Sequence, residues 1–553
     1  MPNTEQITLR QSAVDAFNVL KMFNPKLHDI KVTPSPDQLR ITDDMQWENH
    51  GWSYDEAFAS QLMYLYGEVA DRYKGENDRI IEMKGHKRPE HISSGYDRKS
   101  LTIGSIDIGA GTTDVMITAY QYSGSGRSRL IPEPLFWDSF YLAGDDVVKQ
   151  IIINQIIEGP SFNDENMDGI YSATECRLLH MTDEQLEQLP IMARHDTEAY
   201  RDALSEILRS RSKRERANNI RKLAADLVHG YFGEDSSLKT VKDRICRNDF
   251  NTQVSVRIAQ FYLQQLSERR PMRTFGYNEI FSPEHRPADY LLEHFARHFG
   301  FRFEELSWCF DPKKTGYYVR TTLEPLMKLL SVVLEAYDCD IIVLSGRPCS
   351  LDDVSELFIK YYPTSPDRLV RLNEHYHIGT WYPGGSAQGF FRNPKSVVAV
   401  GAMVGFKASN GTCPDMELDF SKVVKNMKST ARYIGIYKTR NQQVDEVLLS
   451  PTQNSVMLRD QSYPVFLGCK QFSTPNYSAR PLYAIYNHSS SASINIMLQR
   501  NYMQNREELQ IISAMDKDGN DIPLTDIELV QQSIADDGLY WLDKGEFELK
   551  RDK

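Results

Sequence analysis

The chain has 553 residues, 41% of them apolar and 25% charged, with a formal net charge of -12 and a mean hydropathy of -0.49. That length holds two or more domains with ample core, and the acidic balance argues against a general binder of nucleic acid or of anionic membrane. No run of about 18 apolar residues and no leader pattern follows Met1, so neither a membrane span nor export by the usual route is expected, and the expected compartment is the cytoplasm. The seven cysteines form no C-x-x-C pair and read as reduced thiols rather than a disulfide framework or a zinc site.

Ser12 to Phe23 has a mixed helical pattern, followed by a proline-bearing stretch at Pro34 and Pro36. From Trp52, WSYDEAFASQLMYLYGEV places Ala59, Leu62, Met63, Tyr66 and Val69 at helical spacing; an amphipathic helix burying one stripe accounts for that spacing by itself. Lys74 to Lys99 is polar and lysine-rich and reads as a surface loop.

Ile103 to Tyr120, IGSIDIGAGTTDVMITAY, is the most informative stretch. Two β-prone runs flank a turn containing Gly109, Ala110 and Gly111, which is a hairpin pattern. Glycines so spaced let backbone N–H groups approach an anion, and the hydroxyls of Thr112 and Thr113 could add donors. Asp107 and Asp114 flank the turn, and a carboxylate beside a phosphate cradle can hold magnesium through water. A tight structural hairpin is the plainer alternative.

SGSGRSR from Ser123 reads as a flexible turn. FYLAGDDVVKQIIINQI then predicts a helix starting at Gly144 and capped by Asp145 or Asp146, with Val147, Val148, Ile151 and Ile152 buried. Residues 161–330 are helical in pattern. The basic block from Arg209 to Lys222 lacks interleaved aromatics and fits a solvated helix face better than an RNA or phospholipid contact. His294 and His298 share a helix face without a third ligand, which leaves zinc the weaker reading.

CDIIVLSGRPCSLDDVSELFIKYY, from Cys339, predicts a buried parallel strand, a turn at Ser345, Gly346 and Arg347, and a helix, the usual ligand port of an open α/β sheet. NPKSVVAVGAMVGF, from Asn393, predicts a helix whose small residues permit close packing. NGTCP at 410–414 marks a boundary, beyond which a short helix (420–427) and strands at 433–437, 446–449, 481–486, 494–498, 509–514, 527–530 and 539–542 predict an all-β appendage. DKDGND at 516–521 reads as a hairpin turn rather than a calcium loop.

The octet D-I-G-A-G-T-T-D resembles the second phosphate loop of the actin-like ATPase superfamily, which includes heat-shock chaperone ATPases and many sugar kinases. Ala110 stands where many members carry a third glycine, a small change that leaves room for backbone approach. E-A-F-A-S-Q-L-M-Y from Glu56 resembles the first connecting helix, L-S-G-R-P the adenosine loop, with Arg347 in the second glycine's place, and N-P-K-S-V-V-A-V-G-A the second connecting helix. The order of these segments is the superfamily's own. With the helix W-x-x-D-E-A-x-x-x-Q-L-x-Y-L-Y and the tail Y-W-L-D-K-G, they also resemble the bacterial SrfB virulence-factor family, whose members are longer. A truncated or split member is therefore expected, since no first phosphate loop of the D-x-G-T form precedes Asp107.

The resemblance implies an α/β fold with an actin-like ATPase (ribonuclease H-like) core, a helical insertion and a C-terminal all-β domain. The implied division is 1–100 as a partial first lobe with its connecting helix, 101–160 with 331–409 as the second lobe, 161–330 as the insertion, and 410–553 as the β-rich domain. It implies ATP and magnesium as cofactors. Glu56, Asp107 and Thr112 would be catalytic, and Asp107 would hold magnesium through water. Gly109, Ala110, Gly111, Thr112, Thr113, Gly144, Ser345, Gly346 and Arg347 would bind nucleotide. A magnesium-dependent ATPase and a non-hydrolysing interaction protein, which would hold a protein partner through the insertion or the β domain, both remain open. No sugar site supports a kinase.

Overall fold

The computed structural model describes residues 3–31, 56–91, 96–124, 128–159, 169–189, 197–234, 236, 238, 240–391, 393–426, 429–438, 443–459, 461–474, 477–491, 493–503, 506–532 and 541–549. Trp52 to Asp55, Pro34, Pro36 and the centre of the 123–129 turn lie outside them. Helix α1 (Asn3–Phe23) leads the chain, and none of its described side chains is buried.

Helix α2 (Glu56–Gly67) is buried on nearly every side after its first residue, consistent with a sequence rich in Ala, Leu, Phe and Tyr all round. The expected loop after it instead contains α3 (Asn77–Lys84). Ile80 and Ile81 supply an apolar edge there, and the buried Asn77 donates from Nδ2 to Ser128 O at 2.7 Å, so tertiary burial overrides the polar composition.

Strands β1 (Leu101–Ile108), β2 (Thr113–Ser123) and β3 (Arg129–Phe140) form an antiparallel meander. Helix α4 (Gly144–Ile151) follows, then the largely helical insertion. Its helices are α5 (Ile170–His180), α6 (Asp183–Gln188), α7 (Thr197–Leu208), α8 (Lys213–Phe232), α9 (Val241–Phe250) and α10 (Val256–Ser267). After a short ribbon strand β4 (Arg273–Gly276) come α11 (Tyr277–Ile280) and α12 (Asp289–Phe299), and β5 (Ser307–Phe310) closes the ribbon. Helix α13 (Pro312–Ala336) returns the chain to the sheet, where β6 (Ile341–Ser345), α14 (Asp352–Tyr361), β7 (Leu369–Arg371) and α15 (Val397–Ser409) complete the core.

The sheet order is β3-β2-β1-β6-β7, with β6 parallel to both β1 and β7. Strand β1 is buried along its whole length because both faces are covered. Ile106, Ile108, Val115 and Ile117 join the core shared with the insertion, whereas Leu101, Ile103, Met116 and Tyr120 join a second core with α2 and α15. Helices α2 and α15 touch closely: a Cβ at Gly401 would lie 1.9 Å from Ala59 O, so only glycine fits.

Beyond α16 (Ser421–Asn426) two sheets share one core. The strands are β8 (Tyr433–Lys438), β9 (Gln443–Leu449), β10 (Ser455–Leu458), β11 (Val465–Lys470), β12 (Arg480–Asn487), β13 (Ile494–Met503), β14 (Arg506–Asp516) and β15 (Ile527–Gln531). Their orders are β15-β12-β11-β8-β9 and β10-β13-β14. The strand expected over 539–542 is not found: Trp541–Lys544 is a helical turn, α17. It leaves the β domain and lies on the insertion, where Asn251 Nδ2 reaches Leu542 O at 2.9 Å and the buried Arg247 pairs with Glu546 at 2.6 Å. No helix among the described residues is long and apolar enough to cross a membrane.

Candidate functional site

Antiparallel register sets Asp107 opposite Asp114, and parallel register sets it beside Ser345. Alternation puts Asp107 on the face of β1 that carries Leu101 and Ile103, and Asp114 on the face of β2 that carries Met116 and Tyr120; both are the α2 face. Glu56 opens α2 and acts electrostatically on Asp107, and Asp114 acts on both. Three carboxylates from three elements therefore gather at one end of the sheet.

Burial raises all three carboxyls. Asp107, 4% exposed, is pushed up to about 7, by desolvation first and then by Glu56 and Asp114, against a smaller opposing pull from Ser345. Asp114 is raised by desolvation and partly relieved by Thr112 and by the Arg480 guanidinium of the β domain. Glu56 keeps an exposed outer side, and the desolvation of its inner side, with the Asp114 charge, raises it as well. Ser345 Oγ is buried beside Asp107 and closes no well-formed hydrogen bond.

The turn between β1 and β2 is closed by Gly109 N donating to Thr112 O at 2.8 Å. The amides of Ala110, Gly111 and Thr112 donate to nothing among the described residues. Two carbonyls of the turn accept from the start of α4: Gly144 N donates to Gly109 O at 3.1 Å and Asp145 N to Ala110 O at 2.7 Å. Asp146 closes the helix start by accepting from Ala143 N at 2.9 Å. Thr112 Oγ1 donates to Asp114 Oδ2 at 3.2 Å. Thr113 is directed elsewhere, since its buried hydroxyl donates to Leu142 O at 2.7 Å.

At the end of β6, Gly346 has φ +89, and a Cβ there would lie 2.0 Å from Ile108 O and 2.8 Å from Asp107 Oδ1. Only glycine lets this turn close on β1. Arg347 is exposed at the start of a short 3-10 turn and makes no ion pair among the described residues.

Two residues outside the sequence-derived set organise the site. Gln61, fully buried on α2, donates from Nε2 to Ser105 Oγ at 2.8 Å and Met116 O at 3.0 Å, and its Oε1 accepts from Tyr120 OH at 2.8 Å. This fixes the helix that carries Glu56 against β1 and β2. Asp114 was visible as the last letter of the octet, and its pairing with Asp107 is what a hairpin register would have supplied.

The other sequence candidates have structural roles. His298 is held near 4 by burial and bonds Leu227 O at 2.8 Å, and His294 lies between Tyr231 OH and Asp243 Oδ1. Part of the basic block pairs within the insertion, Arg216 with Asp183 at 2.6 Å and Arg221 with Glu175 at 2.7 Å, while Lys213 and Arg214 lie exposed on α8. Asp516 accepts from Asp518 N and Asn520 N in an exposed turn. No group of metal-ligating side chains in metal-binding arrangement occurs among the described residues.

These features define a mixed α/β protein with a carboxylate cluster and a donor turn at one end of its central sheet. The family model for Virulence factor SrfB matches residues 1–188 and 204–548, and the chain belongs to that family. No curated protein matches it significantly.

Proposed function

We propose that residues 101–159 and 331–409 form the second lobe of an actin-like or chaperone-like nucleotide-binding core, and that the chain binds ATP with magnesium. What carries this reading is the convergence of Glu56, Asp107 and Asp114 beside the three undonated amides of Ala110, Gly111 and Thr112. The strand order, with β2 antiparallel to its neighbours, and the close crossing of α2 and α15 support the same core. The donor set fits the ligand: free amides suit phosphate oxygens, and raised carboxyls that form no ion pair suit a hydrated divalent ion.

In this reading the amides of residues 110–112 bind phosphate, Asp107 holds magnesium through water, and Glu56 orients water. Gly346 and Arg347 border the nucleoside. A bound magnesium ion would supply cationic charge beside the carboxylates, and the nucleotide would supply a phosphoryl group for transfer. The sequence carries one D-x-G-x-G turn of this kind, at Asp107 to Gly111. Transition-state charge is stabilised when donors converge from both sides, which favours a slow or non-hydrolysing, partner-binding protein over a fast ATPase.

Isothermal titration of the full chain with magnesium and ATP tests the reading. Binding is expected, and Asp107→Ala should weaken it at least about tenfold. Equal affinity in mutant and parent would remove Asp107 from the site, and no binding in either would sink the proposal.

A further inference from the structure

A different opening lies beside the turn that follows Gly346, whose carbonyls Arg371 contacts. It is a cleft of about 430 Å³ lined by Arg269, Leu369, Arg371, Asn373, His375 and Tyr376. Strand β7, which supplies Leu369 and Arg371, is the outer strand of the central sheet. None of these residues belongs to the proposed nucleotide site.

The cleft carries surplus positive charge. Arg269 and Arg371 share a single carboxylate: Asp352 Oδ2 takes Arg269 Nε at 2.7 Å, and its Oδ1 takes Arg371 Nη1 at 3.1 Å. One acid against two guanidinium groups leaves a net cation. A guanidinium has five N–H donors, and Arg269 uses only Nε in this contact, so its outer fork remains available. Its side chain is 73% exposed, so it can turn toward a ligand. Arg371 is fixed, because Nη2 also reaches Cys349 O and Ser350 O at 3.3 Å each.

Asn373 adds a donor from the interior. It is 3% exposed, and its Oδ1 accepts from His375 N at 3.1 Å. That bond orients the amide and leaves Nδ2 without a partner among the described residues. A buried amide with free donors, between a fixed arginine and a mobile one, is the recognition set of a tetrahedral dianion. Leu369 and the Tyr376 ring supply apolar wall for an organic group, and the Tyr376 ring is itself stacked on Phe391 at 6.2 Å.

We propose that this cleft is a binding site for a small phosphate monoester, with Arg269 and Arg371 on the phosphate, Asn373 Nδ2 as a further donor, and Leu369 and Tyr376 against the ester group. Arg371 also holds the carbonyls of the 347–350 turn, so a ligand here bears on the loop that begins at Gly346. The proposal stands independently of nucleotide binding.

The test is isothermal titration of the full chain with phenyl phosphate, with benzoate as the planar monoanion control. Phenyl phosphate should bind, and benzoate should bind at least about tenfold more weakly. Arg269→Ala, a change at an exposed side chain that should not disturb folding, should weaken phenyl phosphate about tenfold or more, and Arg371→Ala should weaken it further. Asp107→Asn should leave it unchanged. Equal affinity in Arg269→Ala and parent, equal affinity for the two probes, or no binding at millimolar phenyl phosphate would overturn the proposal. Loss of binding in Asp107→Asn with no change in Arg269→Ala would also overturn it, by assigning the phosphate to the turn at 109–112.

Discussion

At the N-terminal ends of β1 and β6, the carboxylate of Asp340 is fully buried and fully answered. Arg88 Nη1 reaches Oδ2 at 2.8 Å and Arg88 Nη2 reaches Oδ1 at 2.9 Å; Thr102 N donates at 2.9 Å, and His86 Nδ1 lies at 2.5 Å. At the C-terminal end of β1, Asp107 is almost as deeply buried, and among the described residues the charged groups acting on it are Glu56 and Asp114. Among the described residues no arginine or lysine forms an ion pair with any of those three, and Arg480, paired with Asp138, acts on Asp114 from beyond ion-pair distance. A buried charge with a partner is architecture, and removing the partner strands it. A buried carboxyl without one stays near neutral by holding its proton, and gains most from a cation that arrives from outside. One sheet thus has an end that is electrostatically finished and an end that is not.

The strongest way to break this comparison is Arg88→Ala. The Arg88 side chain is 5% exposed and the Asp340 side chain 0%, so the variant leaves an uncompensated interior charge. It should destabilise the fold by about 3–5 kcal/mol, seen as a lower urea midpoint in the core transition. A midpoint within error of the parent would mean that the two ends of the sheet do not differ as described.

Asp107 should behave oppositely. Its carboxyl stands at about 7 in the folded chain against an ordinary 3.8, so between those values the folded state binds the extra proton. Stability therefore falls as pH rises through that window. The ceiling of this loss is about 4 kcal/mol, and relaxation around the site should bring it nearer to about 2 kcal/mol. Thermal unfolding from pH 4 to pH 8 should show the decline in the parent and a flatter profile in Asp107→Asn. Magnesium should restore stability at pH 8 and do little at pH 4. A parent profile that rises with pH would contradict the raised carboxyl.

The finished and unfinished ends differed in how far the sequence exposed them. The octet at 107–114, the strand at 341–345 and the helix from Gly144 were legible because each is local: a glycine turn, an apolar run, a capped amphipathic start. The Arg88 and Asp340 pair spans 252 positions, and no periodicity links them. Gln61 sat in plain view as a polar letter within an apolar helix, yet its four partners, Ile103, Ser105, Met116 and Tyr120, lie on β1 and β2. Strands β10 and β11 were missed because Ser455–Leu458 is four residues long and Val465–Lys470 contains Gly468 at a register shift. The tail was misread because its Tyr, Trp and Leu residues suit a strand, whereas those described, Trp541 and Leu542, pack on the insertion's core instead.

The smallest effect sharpens the comparison within the turn itself. Thr112 and Thr113 are adjacent and chemically identical, but one hydroxyl donates to the Asp114 carboxylate at 3.2 Å and the other to the Leu142 carbonyl at 2.7 Å. Each Thr→Val substitution deletes one donor and should cost about 1 kcal/mol. The pH dependence should separate them. Thr112 favours the ionised form of Asp114, which burial otherwise disfavours, so the cost of Thr112→Val should be largest at pH 8 and shrink as acid protonates Asp114. A carbonyl does not titrate, so the cost of Thr113→Val should be the same at pH 4 and pH 8. Parallel pH profiles for the two variants would show that Asp114 gains nothing from Thr112 when charged, and would detach Thr112 from the carboxylate cluster.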